Sequence, residues 1–298
     1  MSVRELVVLG TASQVPTRTR AHHGAVLRWD DEVVLFDPGE GTQRQLTLAG
    51  ISAAAITRIC ITHLHGDHCL GLPGVLQRMA LDRAEAVDLY FPASGQPYVD
   101  RLRRASAAEN PLVVREHPVS GDGLVDDWGS LSLHAAALEH RIDACGWRLQ
   151  EPDGRRMLPD RLAARGIAGP DVGRLIRAGS LDGVRVEEVS EPRPGQVFAF
   201  VMDTRRCAAA VRLARGADLL VCESTYLSDG ADLAAAHAHL TAADAARIAA
   251  QAGARRLVLT HYSQRHPDEA EFAAEARRLF PDVHAARDLD RIPVPRRR

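Results

Sequence analysis

Six consecutive residues of this chain hold four side chains able to bind a metal ion. His63, His65, Asp67 and His68 fall within Thr62-His63-Leu64-His65-Gly66-Asp67-His68. Imidazole and carboxylate ligands suit zinc. A tight turn just after a strand can aim His63 and His65 at one ion. The Asp67-His68 pair can then face a second ion about 3.5–4 Å away. Crowding so many titratable groups together without a cation would cost free energy. Three further candidates follow apolar, strand-like runs: His140 after Leu138-Glu139, Asp203 after residues 197–202, and His261 after residues 257–260. Strand ends are where α/β folds gather functional groups. The chemistry this set implies is metal-assisted hydrolysis, in which paired ions activate a water and neutralise developing charge.

The elements that must position these groups alternate along the chain. Strands are expected at residues 6–9, 25–29, 33–37, 56–62, 87–91, 112–116, 131–137, 145–149, 197–202, 219–222 and 256–260. Helices are expected at 71–81, 206–215, 242–251 and 269–280. Interleaving of this kind argues an α/β fold. Residues 151–194 break the pattern. This stretch is rich in Gly, Pro, Arg and Asp, with two short helical pieces around Arg161 and Leu175. Between Arg155 and Arg177 it sets six arginines against Asp160 and Asp171. A long irregular insertion in a compact fold is usually functional or disordered.

Composition bounds the remaining possibilities. At 298 residues and 46% hydrophobic, the chain can bury one large core or two closely packed halves. A net charge of −2 gives no global sign of a nucleic-acid binder, so RNA contact would need a local basic patch. There is no lysine, and all 37 basic residues are arginine. A phosphate contact from a basic side chain would therefore use a guanidinium fork. Five cysteines with no C-x-x-C pair imply neither a disulfide framework nor a thiolate zinc site. Reduced thiols and an N-terminus without a signal-peptide layout read as cytoplasmic. No apolar run is long enough for a bilayer, so no membrane association is expected.

The HxHxDH segment, with the later His140, Asp203 and His261, resembles the metallo-β-lactamase superfamily from about residue 4 to residue 266. The resemblance implies a single domain over 1–298. It would be a four-layer αββα sandwich with two metal ions at the edge of its sheets, and residues 151–194 would form an inserted flexible arm. It further implies that His63, His65 and His140 hold one zinc, that Asp67, His68 and His261 hold the other, and that Asp203 bridges them.

Four other segments resemble the ribonuclease Z family. Phe36-Asp37-Pro38-Gly39-Glu40-Gly41-Thr42-Gln43 is similar to its FDxGEGTQ segment, with Asp37 placed to orient ligand imidazoles. Pro16-Thr17-Arg18-Thr19-Arg20 resembles its PxKxRN loop, with Arg18 for Lys and Ala21 for Asn. Gly169-Pro170 looks like the Gly-Pro segment of the family's tRNA-gripping arm. Cys222-Glu223-Ser224-Thr225, His239-Leu240-Thr241 and residues 260–266 resemble HEST, HST and THISxRY, with Cys222 and His266 as departures. The resemblance implies an endoribonuclease that removes the 3′ trailer of precursor tRNA, as a homodimer with two zinc ions per subunit. Asp67 would accept a proton from the attacking water. His239 would be the general acid, since imidazole donates near neutral pH, with Glu223 orienting it. Arg18, Arg20, Gly169, Pro170, Ser263 and Arg265 would contact substrate. The fold also hosts hydrolases of small esters, thioesters and sulfate esters, which is the alternative reading. A non-catalytic RNA-binding module would have no use for seven metal ligands.

Overall fold

In the strand Arg4–Gly10, Leu6 and Val8 point to one side, Val7 and Leu9 to the other, and all four are buried. The strand Leu219–Glu223 does the same, with Leu219 and Val221 on one face and Leu220 and Cys222 on the other. A strand buried on both faces needs a layer on each side. The computed structural model, which describes residues 3–107 and 111–297, satisfies this with two facing sheets, each covered outside by helices. Arg298 of the basic tail lies outside the described residues.

The first sheet runs, in spatial order, Arg291–Pro293, Arg4–Gly10, Gly24–Trp29, Glu32–Phe36, Arg58–Cys60, Ala86–Pro92, Val113–Val119. The second runs Val283–Ala285, Leu257–Thr260, Leu219–Glu223, Val197–Val201, Ala144–Gln150, Ser132–Leu138, Gly123–Asp127. Each sheet has three antiparallel pairings at one side and three parallel pairings at the other. The inner faces meet in one core, where Trp29, Phe36 and Tyr90 pack with Trp147, Phe198 and Phe200. Phe36 stacks on Phe200 at 4.6 Å between ring centres. The helices Thr42–Leu48 and Leu72–Leu81 close the outside of the first sheet. The helices Ala208–Ala214, Ala242–Ala252 and Glu269–Arg277 close the second. This is the expected αββα sandwich.

Local structure differs from expectation in two informative places. The strand expected over 56–62 spans only Arg58–Cys60. Thr62 leaves the ladder because its N–H donates to Asp37 Oδ1 at 2.7 Å and its hydroxyl to Oδ2 at 2.8 Å. That diversion starts the histidine loop. The insertion at 151–194 is not irregular. Gly154–Met157 pairs with Ser190–Arg193 as a stalk, carrying the helices Pro159–Ala164 and Pro170–Ala178 and the hairpin Ser180–Leu181/Val184–Arg185. Leu162, Ile167, Leu175, Val184, Val186 and Val189 form its own small core. Its arginines are also less free than composition suggests. Arg156 pairs with Glu191, Arg165 with Glu188 and Arg174 with Asp171.

Candidate active site

The histidine loop, the strand ends of the second sheet and the Asp37 turn meet at one edge of the sandwich. Tight approach makes this possible. A Cβ on Gly39 would stand 2.2 Å from the Asp67 carbonyl, and one on Gly71 would stand 2.0 Å from the Gly39 carbonyl. Glycine at both positions lets the Asp37 turn lie directly against the ligand loop. On the opposite sheet, Glu139 N–H donates to Thr204 Oγ1 and Arg205 N–H to the Glu139 carbonyl, which fastens the His140 and Asp203 loops together. His261 adopts φ 63°, a left-handed conformation rare outside glycine. It is held there by Tyr262 N–H to Thr11 and Ser263 N–H to Thr225.

The seven predicted ligands converge as two groups. His63 Nε2 and His65 Nδ1 lie 3.0 Å apart, and His65 Nδ1 and His140 Nε2 lie 3.2 Å apart. Asp203 Oδ2 is 3.5 Å from His63 and 3.7 Å from His140. In the second group, His68 Nε2 and His261 Nε2 are 3.1 Å apart, and each is 3.4 Å from Asp67 Oδ2. Asp203 Oδ1 stands 3.4 Å from His68 and 3.3 Å from His261. One carboxylate thus turns an oxygen to each group. These spacings are close to the edge of a tetrahedron of ligands at ~2.0–2.1 Å, which is about 3.4 Å. Asp203 Oδ1 is buried with no hydrogen-bond partner, as a ligand atom would be. The donor set therefore fits a pair of metal ions.

The outer nitrogens explain why the inner ones point inward. His68 Nδ1 donates to Asp37 at 2.9 Å. His63 Nδ1 reaches Thr62 Oγ1 at 3.1 Å, and that hydroxyl donates to Asp37. The other sheet repeats the scheme. His239 Nδ1 donates to Glu223 Oε1 at 3.0 Å, and His261 Nδ1 reaches Thr225 Oγ1 at 2.9 Å, whose hydroxyl donates to Glu223. His140 Nδ1 donates to the Ala238 carbonyl at 3.0 Å. Each buried carboxylate so orients two imidazoles, one directly and one through a threonine.

Electrostatics agree with metal binding. Burial holds His63, His65 and His140 below the ordinary histidine value, which favours the neutral form that a metal needs. Burial pushes the Asp67 and Asp203 carboxyls up, but the surrounding imidazoles outweigh it and hold both well below the usual range. Burial opposes charge on His68, yet Asp203, Asp67 and Asp37 raise its pKa well above 6.5. The centre calls for positive charge. For His239, burial is outweighed first by Glu223 and then by Asp203, which push it up to about 9. Its Nε2 lies 3.8 Å from Asp203.

A cavity of about 280 Å³ opens over the centre, with Ser263, Arg265, His239 and Tyr226 in its wall. Of the residues expected to meet substrate, Ser263 and Arg265 line it. Arg18 is exposed on the loop that follows the lining residues Gln14 and Val15. Gly169 and Pro170 sit exposed on the arm, where Gly169 starts a helix with φ 54° and ψ −129°, and they do not line the cavity. Arg20 does not line the cavity. It is 3% exposed, donating to Glu269 at 2.7 Å and to the His266 and Pro267 carbonyls. It holds two loops together. Cys222 points away from the centre into the helix-covered core, so this departure from the family motif changes packing, while Glu223 keeps the site contact. Two residues escaped the sequence reading. Arg141 lines the cavity directly after His140. His23 is buried against the His68 and His261 rings, at 5.6 and 5.7 Å, as the second member of a histidine doublet.

Two family descriptions match parts of the chain: "Anti-Pycsar protein Apyc1" over residues 4–107, which include His63–His68, and "Beta-lactamase superfamily domain" over residues 162–262. The metallo-β-lactamase fold protein YhfI from Bacillus subtilis superposes with a TM-score of 0.70 at 17% identity, covering 98% of this chain and 99% of that one. Fold and site together define a hydrolase of the metallo-β-lactamase fold. Within that class the chain is 56% identical to a ribonuclease Z of Streptomyces coelicolor and 59% identical to one of Nocardia farcinica, over 100% of both chains in each case. The crystal structure of human tRNase Z, short form, matches with a TM-score of 0.71 at 28% identity, covering 98% of this chain and 99% of that one. This chain belongs to the ribonuclease Z family, which decides against the small-ester alternative. Among the described residues, no helix is long and apolar enough to cross a membrane.

Proposed function

We propose that this chain is a two-zinc endoribonuclease that cuts the 3′ trailer from precursor tRNA in the cytoplasm, acting as a homodimer. The observation that carries this reading is the pairing of two ligand groups through Asp203 beside a charged His239–Glu223 pair. The relatives' name, ribonuclease Z, and the tRNase Z neighbour support the RNA substrate. Imidazole and carboxylate donors support zinc. His63, His65 and His140 would hold one ion, Asp67, His68 and His261 the other, and Asp203 both. Bound ions supply a water nucleophile near neutral pH and positive charge against the phosphoryl oxygens.

The chain's own groups do the rest. Asp67, ionised at neutral pH and only 8% exposed, accepts the proton of the attacking water. Glu223 fixes His239 Nδ1–H, so its Nε2–H faces the cavity and is donated to the leaving 3′ oxygen. Arg265 and Ser263 bind the non-bridging oxygens. The arm, with Gly169 and Pro170 outside the cavity, grips the tRNA body away from the chemistry. The test is cleavage of end-labelled precursor tRNA with and without a chelator, alongside metal analysis. Chelator-sensitive release of the trailer at one position is expected. A protein with two metals per chain that releases no trailer would refute the substrate.

A further inference from the structure

A second cavity, of about 450 Å³, adjoins the metal-centre cavity. Its lining comes from residues 92–94, 119–121, 137–138 and 140–145, and it shares one lining residue with the first cavity, Arg141. Arg141 is exposed, and its guanidinium makes no hydrogen bond or ion pair with a described residue. Its backbone is nonetheless well placed. The preceding His140 is tied to the Ala238 carbonyl, and Glu139 is tied to Thr204. An anchored arginine with all its donors free, at the join of two cavities, is suited to a phosphate.

The second cavity also has a telling wall. Pro92, Ala93, Ser94, Ser120 and Gly121 are small, no Phe, Tyr or Trp lines it, and its one ring, that of His140, is tied to the Ala238 carbonyl and turned to the ligand group. Such a wall offers no stacking platform, so it would hold a nucleic-acid strand by its backbone without preference among bases. The direction of the strand follows from the acid. His239 lines only the metal-centre cavity, so the leaving 3′ oxygen and the upstream nucleotide it belongs to must stand there. The downstream nucleotide stays bonded to the same phosphorus through its 5′ oxygen, to one side of the line of attack, and has the adjoining cavity open to it.

We propose that Arg141 and this second cavity form a subsite for the nucleotide strand downstream of the scissile bond, with Arg141 binding the first downstream phosphodiester. The proposal rests on the reading that the centre cleaves RNA. It makes Arg141 a determinant of trailer length and leaves base identity unread.

The test uses the full metal-loaded protein and precursor tRNAs whose trailers are one or three nucleotides long. The one-nucleotide trailer has no phosphodiester beyond the scissile one. Wild type is expected to cleave the longer trailer with a kcat/KM about tenfold higher, as one charge-assisted contact would give. Arg141→Ala is expected to erase that difference at unchanged metal content, with Arg141→Lys keeping part of it. A methylphosphonate at the first downstream linkage should cost the wild type the same factor and cost Arg141→Ala nothing. Equal losses on both trailers, additive losses, or coupling to an upstream linkage would overturn the subsite. Wild-type protein that cleaves neither precursor would overturn the ribonuclease reading itself. Wild-type protein that cleaves both equally well would sink the subsite alone.

Discussion

Replacing Glu223 by Gln should move the alkaline limit of activity more than any other isosteric change in the site. The Glu223 carboxylate is buried and accepts from Thr204 N–H at 2.9 Å, Thr225 N–H at 3.2 Å and Thr225 Oγ1 at 2.6 Å, besides His239 Nδ1 at 3.0 Å. The rise of His239 from 6.5 to about 9 is worth about 3 kcal/mol of preference for its charged form. Glu223 touches the ring directly, while Asp203 is 3.8 Å away, so about half or more of that preference belongs to Glu223. The sign follows from the role. A general acid works when protonated, so its contribution is present below its pKa and lost as pH rises through it. Removing the Glu223 charge lowers that pKa and brings the alkaline loss about one pH unit earlier, with a lower plateau. Single-turnover cleavage across pH 6–10, with metal content measured in parallel, is the assay. A variant whose alkaline limb stays put while its plateau falls would refute this account of Glu223.

Other outcomes follow from the same geometry. His239→Ala should lose about 10²–10⁴ of turnover while keeping its metal content by elemental analysis, because its Nδ1 is held by Glu223 and its Nε2, 3.8 Å from Asp203, stands beside the two ligand groups, each of which has its own three or four donors. Arg20→Ala should lower thermal stability by about 2–3 kcal/mol by stranding Glu269 and two carbonyls, and should leave KM for precursor tRNA nearly unchanged in titrations on the folded fraction. Replacing residues 154–193 by a short link should abolish precursor tRNA cleavage and spare hydrolysis of bis-p-nitrophenyl phosphate, since none of those residues lines the metal-centre cavity.

The cluster of candidate ligands was legible because its geometry is largely local. His63 to His68 fall in one turn, and His140, Asp203 and His261 follow strands whose apolar runs are plain. The sandwich followed from those same runs. The burial of Arg20 was not legible because a basic residue in a polar loop looks solvated, whereas its partner Glu269 lies 249 positions away. Arg141 was passed over for the converse reason: having no partner is a property of the folded surface. The insertion read as irregular because each of its elements is too short for a period, and only their joint packing on Leu175 orders them. The three-residue strand Val283–Ala285 failed the same way, since its parallel neighbour Leu257–Thr260 creates it.

The doubled orienting scheme, Asp37 with Thr62 on one sheet and Glu223 with Thr225 on the other, has a mechanical consequence. Each sheet brings its own pre-aimed imidazoles to the seam, and both ligand groups draw on both sheets, His65 meeting His140 and His68 meeting His261. Ions bound there act as rivets through a joint whose two plates are finished separately. Pulling the rivets leaves both plates intact but removes the ions that join them, leaving only imidazole–carboxylate contacts across the gap, so the joint should loosen at that edge first. Hydrogen exchange on stripped protein would show it as selective loss of protection at residues 60–63 and 202–204, with the outer helices unaffected.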